Sequence, residues 1–437
     1  MPNVAVIGGG CAGLAAASRL AEHHVPVTLF EAGRQLGGRA RSISWKGQTL
    51  DNGQHILLGA YSETLRQIRL SGVTEQDCFL RLPLQLIMQD AFKLSACPML
   101  PAPLHILLAM LTAQGLSSGE RLAAVRFMLW LRLKKFRLPA DLPLGQFLSA
   151  RRQPVRLVKL LWEPLCLAAL NTPLNRASAQ VFLNVLRDSF AGAKADSDLL
   201  LPKTDLSNLI AQPLADYIEH HGGRVRTNAM ISAVRKTGTG FCLGDADGTE
   251  HAFSHVVLAM SPFRLVDLIQ GIPALGDTSR QVAQFVYQPI YTIYLQFPAH
   301  VTLPSPMTGL ADAVCQWVFD RGVLYGQHGL LAVVISAEGE HQKLTQHDLG
   351  ILVQEELQHA FPGLPQALWF KVIAEKRATF ACTAGLDRPG YTTALPNLYI
   401  AGDYVAGDYP ATIEGAMRSG RQCAEAIISS QHQEHLR

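Results

Sequence analysis

Six residues near the start of the chain, Gly8-Gly9-Gly10-Cys11-Ala12-Gly13, have the types and spacing that hold a dinucleotide. Gly8 permits a tight turn. Gly10 lets a pyrophosphate approach the backbone, and Gly13 lets a helix pack closely on its strand. A carboxylate completes the set: Glu31 stands 18 residues after Gly13, where it can accept both hydroxyls of an adenosine ribose. These residues need particular elements to position them. Val4-Ala5-Val6-Ile7 reads as an apolar strand and the run from Cys11 to Leu20 as a helix. Val27-Thr28-Leu29-Phe30 reads as a second strand ending on the acid. The helix N-terminus, at Cys11 and Ala12, brings free N–H groups and a partial positive charge to the phosphates.

A second glycine loop follows at once, Ala32-Gly33-Arg34-Gln35-Leu36-Gly37-Gly38-Arg39-Ala40. Gly37-Gly38 allow another close backbone approach, and Arg39 offers a forked guanidinium to the pyrophosphate. NAD-dependent dehydrogenases have no evident need of such a loop, so the pattern points to FAD. The C-terminus repeats the logic. A strand from Leu398 to Ala401 leads into Gly402-Asp403, whose carboxylate can bind a ribityl hydroxyl or the phosphates. A helix then begins at Ala411-Thr412-Ile413, where N–H groups favour negative charge on a reduced flavin. The two ends of the chain should close around one FAD.

Between these ends lies Asp51-Asn52-Gly53-Gln54-His55-Ile56-Leu57-Leu58-Gly59-Ala60-Tyr61. The chain here should pass close to the flavin ring. Asn52 and Gln54 can hydrogen-bond the ring, and His55 or Asp51 can supply a proton. A histidine beside an apolar run equally suits a structural role.

Gly37-Gly38-Arg39-Ala40-Arg41-Ser42, the Asp51–Tyr61 stretch, Leu161-Trp162-Glu163-Pro164-Leu165-Cys166-Leu167-Ala168-Ala169-Leu170-Asn171-Thr172-Pro173 and Asn397-Leu398-Tyr399-Ile400-Ala401-Gly402-Asp403 together resemble a known group. The chain is similar to the hydroxysqualene dehydroxylase family, within the amine oxidase and phytoene desaturase-like flavoproteins. The resemblance implies reductive dehydroxylation of hydroxysqualene to squalene, a hopanoid precursor, on a C30 isoprenoid substrate. It also implies that the Met230 backbone contacts the adenine. Alternatives are a carotenoid or phytoene-type desaturase, a flavin amine oxidase, and a non-catalytic isoprenoid carrier. Amine-oxidising relatives commonly place a lysine near the flavin, and none occurs between Gly271 and Phe297. The sequence names no reductant for the flavin.

Composition bounds the rest. At 437 residues, 48% hydrophobic and mean hydropathy +0.14, the chain can hold two or three apolar-cored units. The net charge of +3 hides an asymmetry: residues 120–160 hold ten Lys and Arg against two acids. That basic tract includes Phe127-Met128-Leu129-Trp130-Leu131 and follows an uncharged run from Leu94 to Gly119. Cations beside apolar and aromatic residues suit an anionic membrane surface, whereas nucleic acid is excluded because the cations sit among leucines. The eight cysteines show no metal-ligand spacing, so no metal site is expected. The glycine-broken N-terminus does not read as a signal sequence. The expected setting is cytoplasmic, peripheral to the inner face of the cytoplasmic membrane.

The expected fold is α/β. Residues 1–75, 200–270 and 388–437 form a discontinuous Rossmann-like FAD-binding domain. Residues 76–199 form a helical, lipid-facing insertion, and residues 271–387 an antiparallel substrate-domain sheet.

Overall fold

The computed structural model describes residues 2–238 and 240–434. Strand β1 (Val4–Ile7) is buried along its length between two parallel neighbours, β2 (Val27–Phe30) and the His255–Leu258 strand. A strand covered on both faces reads as an unbroken apolar run, which is why Val4–Ile7 shows no alternation. Arg224–Arg226 and Leu398–Ile400 extend this sheet to five parallel strands. Helix α1 (Cys11–Glu22) connects β1 to β2, with Leu14, Ala15, Ala16, Ala17 and Leu20 fully buried. The C-terminal helix Ile413–Glu434 packs against it so closely that a Cβ on Gly420 would lie 2.0 Å from the Ala12 carbonyl oxygen.

A second sheet has seven strands. It contains β3 (Tyr287–Gln296), followed along the chain by β4 (Trp317–Asp320), which is the middle strand, β5 (Leu330–Ser336) and β6 (Trp369–Phe380), which is an edge strand. β3 pairs antiparallel with both β5 and β6. Tyr291 and Tyr294 take opposite faces of β3. Tyr294 donates to the Asp51 carbonyl at 2.9 Å, and Tyr291 stands edge-on to His341. One expectation is corrected here. Residues 76–199 are not wholly helical, because the hairpin Gln85–Met88 and Phe92–Ser95 completes this sheet beside Met307–Gly309. Leu86, Met88, Phe92 and Leu94 point into the core, with less buried residues between them, as a half-covered strand requires.

The helical part includes α2 (Leu104–Thr112), α3 (Ser118–Leu133), α4 (Glu163–Leu170) and α5 (Ala179–Phe190). A capping box starts α3: the Ser117 hydroxyl accepts from the Glu120 N–H, and the Glu120 carboxylate accepts from the Ser117 N–H at 2.7 Å. Two π-turns, Val158–Trp162 and Ser207–Ala211, each lie just ahead of a helical proline, Pro164 and Pro213. Proline lacks the N–H for an ordinary helical bond, and the wider turn accommodates that loss. The apolar stretch in α3 divides between two environments: Phe127, Met128 and Leu131 are buried, whereas Leu129 and Leu133 are exposed. Among the described residues no helix is long and apolar enough to cross a membrane.

Candidate active site

One cavity of about 1060 Å³ runs from the tip of β1 to the seven-stranded sheet. Every candidate residue read from the sequence lines it except Gly9, Gly13 and Asp51. Gly8, Gly10, Cys11 and Ala12 form one wall and Gly37 to Ala40 face them. Gly402, Asp403, Ala411, Thr412 and Ile413 close the C-terminal side. Glu31, Ala32 and the half-exposed Met230 lie toward the ribose end.

The glycines explain why this space stays open. A Cβ on Gly10 would meet no atom within 4 Å, whereas one on Gly13 would lie 1.9 Å from the Gly8 carbonyl oxygen. Gly10 therefore faces the cavity and Gly13 the strand. Gly37 and Gly38 adopt left-handed φ values of 95° and 59°, and the Gly37 N–H donates to the Gly9 carbonyl at 2.8 Å. No side chain caps the N-terminus of α1. The Glu31 carboxylate accepts from the Gly9 N–H at 2.8 Å and from the Gly33 N–H at 2.7 Å, which holds it in place. At the other end Tyr404 is buried on the cavity wall with its hydroxyl unpartnered among the described residues. An uncapped helix, a bare glycine wall, a fixed acid and an orphaned phenol fit FAD. The C-terminal helix begins at Ile413 rather than Ala411, and the Thr412 hydroxyl accepts from the Gly415 N–H at 3.1 Å.

Arg39 is placed differently from the simple expectation. One terminal nitrogen donates to Asp403 at 2.7 Å and the other to the Ala378 carbonyl on β6. Each end of its fork already serves the protein, so Arg39 ties both ends of the chain to the second sheet. Burial pushes the nearby Cys11 thiol up to about 12, which keeps it a neutral wall residue.

The two proton-source candidates separate. His55 lines the cavity, and its Nδ1 lies 2.7 Å from the Gly53 carbonyl. A carbonyl only accepts, so Nδ1 carries the hydrogen and Nε2 is left to take or give a proton. Burial lowers its pKa, opposed by that hydrogen bond and by Asp51. Asp51 is away from the cavity and is only 1% exposed. Its carboxylate accepts from Arg321 at 3.1 Å and from the Leu206 N–H at 2.9 Å. Burial raises its pKa, opposed chiefly by Arg321.

A family model, flavin containing amine oxidoreductase, matches residues 11–428. The chain belongs to this family. It is an FAD-dependent oxidoreductase. Hydroxysqualene dehydroxylases of Sinorhizobium fredii and Rhodopseudomonas palustris are 26% and 28% identical to this flavin oxidoreductase; each alignment covers 98% of this chain, and 98% and 99% of the relatives. A zeta-carotene desaturase of Synechocystis is 22% identical, over 98% of both chains. The structure of an oxidoreductase from Methanosarcina mazei superposes with a TM-score of 0.74 at 16% identity, covering 97% of this chain and 100% of that one.

Several residues of this flavin oxidoreductase's site escaped the sequence reading. Arg321 is fully buried and donates to Asp51 and, at 2.9 Å, to Gln54; its guanidinium stacks 3.6 Å from the Tyr325 ring. It fixes the segment that carries His55 from below. The only local signal was a charged residue directly after the apolar strand Trp317–Asp320. Beyond His55 the cavity becomes apolar, walled by Leu165 and Ala169 of α4, Phe182 and Leu186 of α5, and Trp317 and Phe319 of β4. Asn171, the left-handed C-cap of α4 (φ 47°), joins this wall to the sheet. Its Oδ1 accepts from the Ala337 N–H at 2.6 Å.

Proposed function

We propose that this protein reduces hydroxysqualene to squalene. The observation that carries the reading is the single cavity, in which a dinucleotide cleft opens without a break into a hydrocarbon-lined chamber. The full-length similarity to hydroxysqualene dehydroxylases supports the choice of substrate. When bound, FAD supplies hydride-transfer chemistry at N5 of its reduced ring. The loops from Gly8 to Ala12 and from Gly37 to Ala40 hold its pyrophosphate, Glu31 its ribose, and Asp403 and Thr412 its flavin end. His55 gives the Nε2 proton to the substrate hydroxyl. The C–O bond then breaks, water leaves, and an allylic cation remains on the carbon chain. The Phe182, Trp317 and Phe319 walls keep bulk water from that cation.

Anaerobic incubation of the FAD-loaded protein with hydroxysqualene and dithionite, with product analysis by mass spectrometry, is expected to yield squalene. Absence of squalene, with FAD instead reduced by phytoene, would replace this reading with a desaturase. The similarity to a zeta-carotene desaturase makes that the rival to test.

The insertion is proposed to rest on an anionic bilayer. Leu104, Leu108 and Leu111 of α2 and Leu122, Leu129 and Leu133 of α3 are exposed, and Arg126 and Arg132 of α3 and Lys134 and Lys135 directly after it are exposed as well. Apolar side chains flanked by cations match a headgroup surface. The double variant Leu129→Glu/Leu133→Glu is expected to reduce co-sedimentation with phosphatidylglycerol vesicles by roughly tenfold. Unchanged co-sedimentation would remove this surface from the proposal.

A further inference from the structure

Asn171, Thr379 and Ser336 bring a polar patch to the cavity wall. The hydrogen-bond sense at this polar patch is fixed. Asn171 Oδ1 must face the Ala337 N–H, so its amide nitrogen faces the other way. That nitrogen donates to the Thr379 hydroxyl at 2.9 Å and to the Pro289 carbonyl at 3.3 Å. Thr379 Oγ1 is therefore an acceptor toward Asn171, and its own proton must go elsewhere. Among the described residues it donates to no acceptor, although Thr379 is only 7% exposed and lies on the cavity wall. A buried hydroxyl proton with no taker is costly in a hydrocarbon tunnel unless a ligand accepts it.

Its position is as defined as its polarity. The preceding residue, Ala378, gives its carbonyl to Arg39, which binds Asp403 of the cofactor cleft. Thr379 thus sits where the cofactor end of the cavity meets the apolar chamber. Ser336, on β5, lines the same region and its hydroxyl makes no hydrogen bond among the described residues. Gln316 pins the Ser336 backbone, donating to its carbonyl at 2.9 Å and accepting from its N–H at 3.0 Å. A polyene hydrocarbon offers nothing to these hydroxyls; an isoprenoid alcohol offers one oxygen.

We infer that Thr379, oriented by Asn171, recognises the hydroxyl of an isoprenoid alcohol and so sets the protein's preference for an oxygenated substrate over the hydrocarbon. The inference rests on the functional reading above. It makes Thr379 a specificity residue, with Asn171 as its positioning partner.

The test uses FAD-loaded protein and two probes, hydroxysqualene and squalene, with dissociation constants read from quenching of tryptophan fluorescence. Wild-type protein is expected to bind the alcohol about tenfold more tightly than the hydrocarbon. Thr379→Val, which keeps the side-chain shape, is expected to weaken hydroxysqualene binding about tenfold and leave squalene within about twofold. Thr379→Ser should restore the preference. Equal weakening of both probes, or unchanged hydroxysqualene binding in Thr379→Val, overturns the inference. The wild-type comparison decides alone if the valine variant loses FAD: equal affinity for both probes also overturns it. Failure of the wild-type protein to bind or convert hydroxysqualene overturns the functional reading instead, and the inference with it. Normal conversion with an indifferent valine variant overturns the inference only.

Discussion

Replacing His55 with alanine is expected to lower turnover by about 10²–10⁴-fold while FAD stays bound. The basis is the division of labour in the ring. Nδ1–H is held by the Gly53 carbonyl at 2.7 Å, so the ring cannot turn freely and Nε2 is the only nitrogen able to exchange a proton in the cavity. The pH profile supplies a second check. Burial lowers the imidazolium pKa below its ordinary value of 6.5. The acid form is then complete only below that lowered value and disappears as pH rises through it. The rate should therefore fall on the alkaline side of a pKa below 6.5, by about one decade per pH unit, and His55→Ala should lose that limb. Stability runs the other way. The unfolded chain binds the His55 proton more readily, so this residue costs stability as pH falls through 6.5 toward the folded value. Full turnover in His55→Ala with a normal flavin spectrum would remove His55 from the chemistry.

The second large effect is structural. Arg321→Ala should lower the unfolding free energy by about 3–5 kcal/mol, measured by denaturant titration of the holoprotein. Arg321 and Asp51 are 0% and 1% exposed. Removing the guanidinium leaves a buried carboxylate with the Leu206 N–H but no counter-charge. It also leaves Gln54 without its donor and Gln327 without the Arg321 Nε–H at 2.6 Å. The double variant Arg321→Met/Asp51→Leu should lose clearly less than the two single losses combined, since it removes both charges. A single variant within about 0.5 kcal/mol of wild type would show that the pair does not hold this segment. Turnover should fall as well, because the Gln54–His55 segment rests on that pair.

The contrast between these two residues shows what a sequence can disclose. His55 stands in a motif whose neighbours are all local. Arg321 meets Asp51 across 270 positions of chain, and nothing near either residue announces the other. The cofactor cleft was legible because left-handed turns call for glycine at Gly37 and Gly38, close packing calls for it at Gly13, and the approach of a pyrophosphate calls for it at Gly10, and those demands are written in residue type. Asn171 was visible as part of a motif, but its work depends on a left-handed φ and on partners from three other segments. The hairpin at 85–95 was within reach: Leu86, Met88, Phe92 and Leu94 alternate with polar or less buried neighbours. It was absorbed into a helical block because its pairing partner, Met307–Gly309, lies far along the chain. In α3 the apolar and basic residues were read as one surface. Packing buried Phe127, Met128 and Leu131 and left Leu129 and Leu133 outside.

The Arg39–Asp403 contact spans 364 positions, and the strand beside His255–Leu258 is Leu398–Ile400. A ribosome adding ~5–20 residues per second takes roughly 7–30 s to pass from one of these strands to the other. Through that interval the nascent parallel sheet has an open edge and the cofactor cleft lacks a wall. Flavin loading is thus an event of the finished chain. Recombinant yield should respond more to what shields that edge during synthesis than to the supply of FAD.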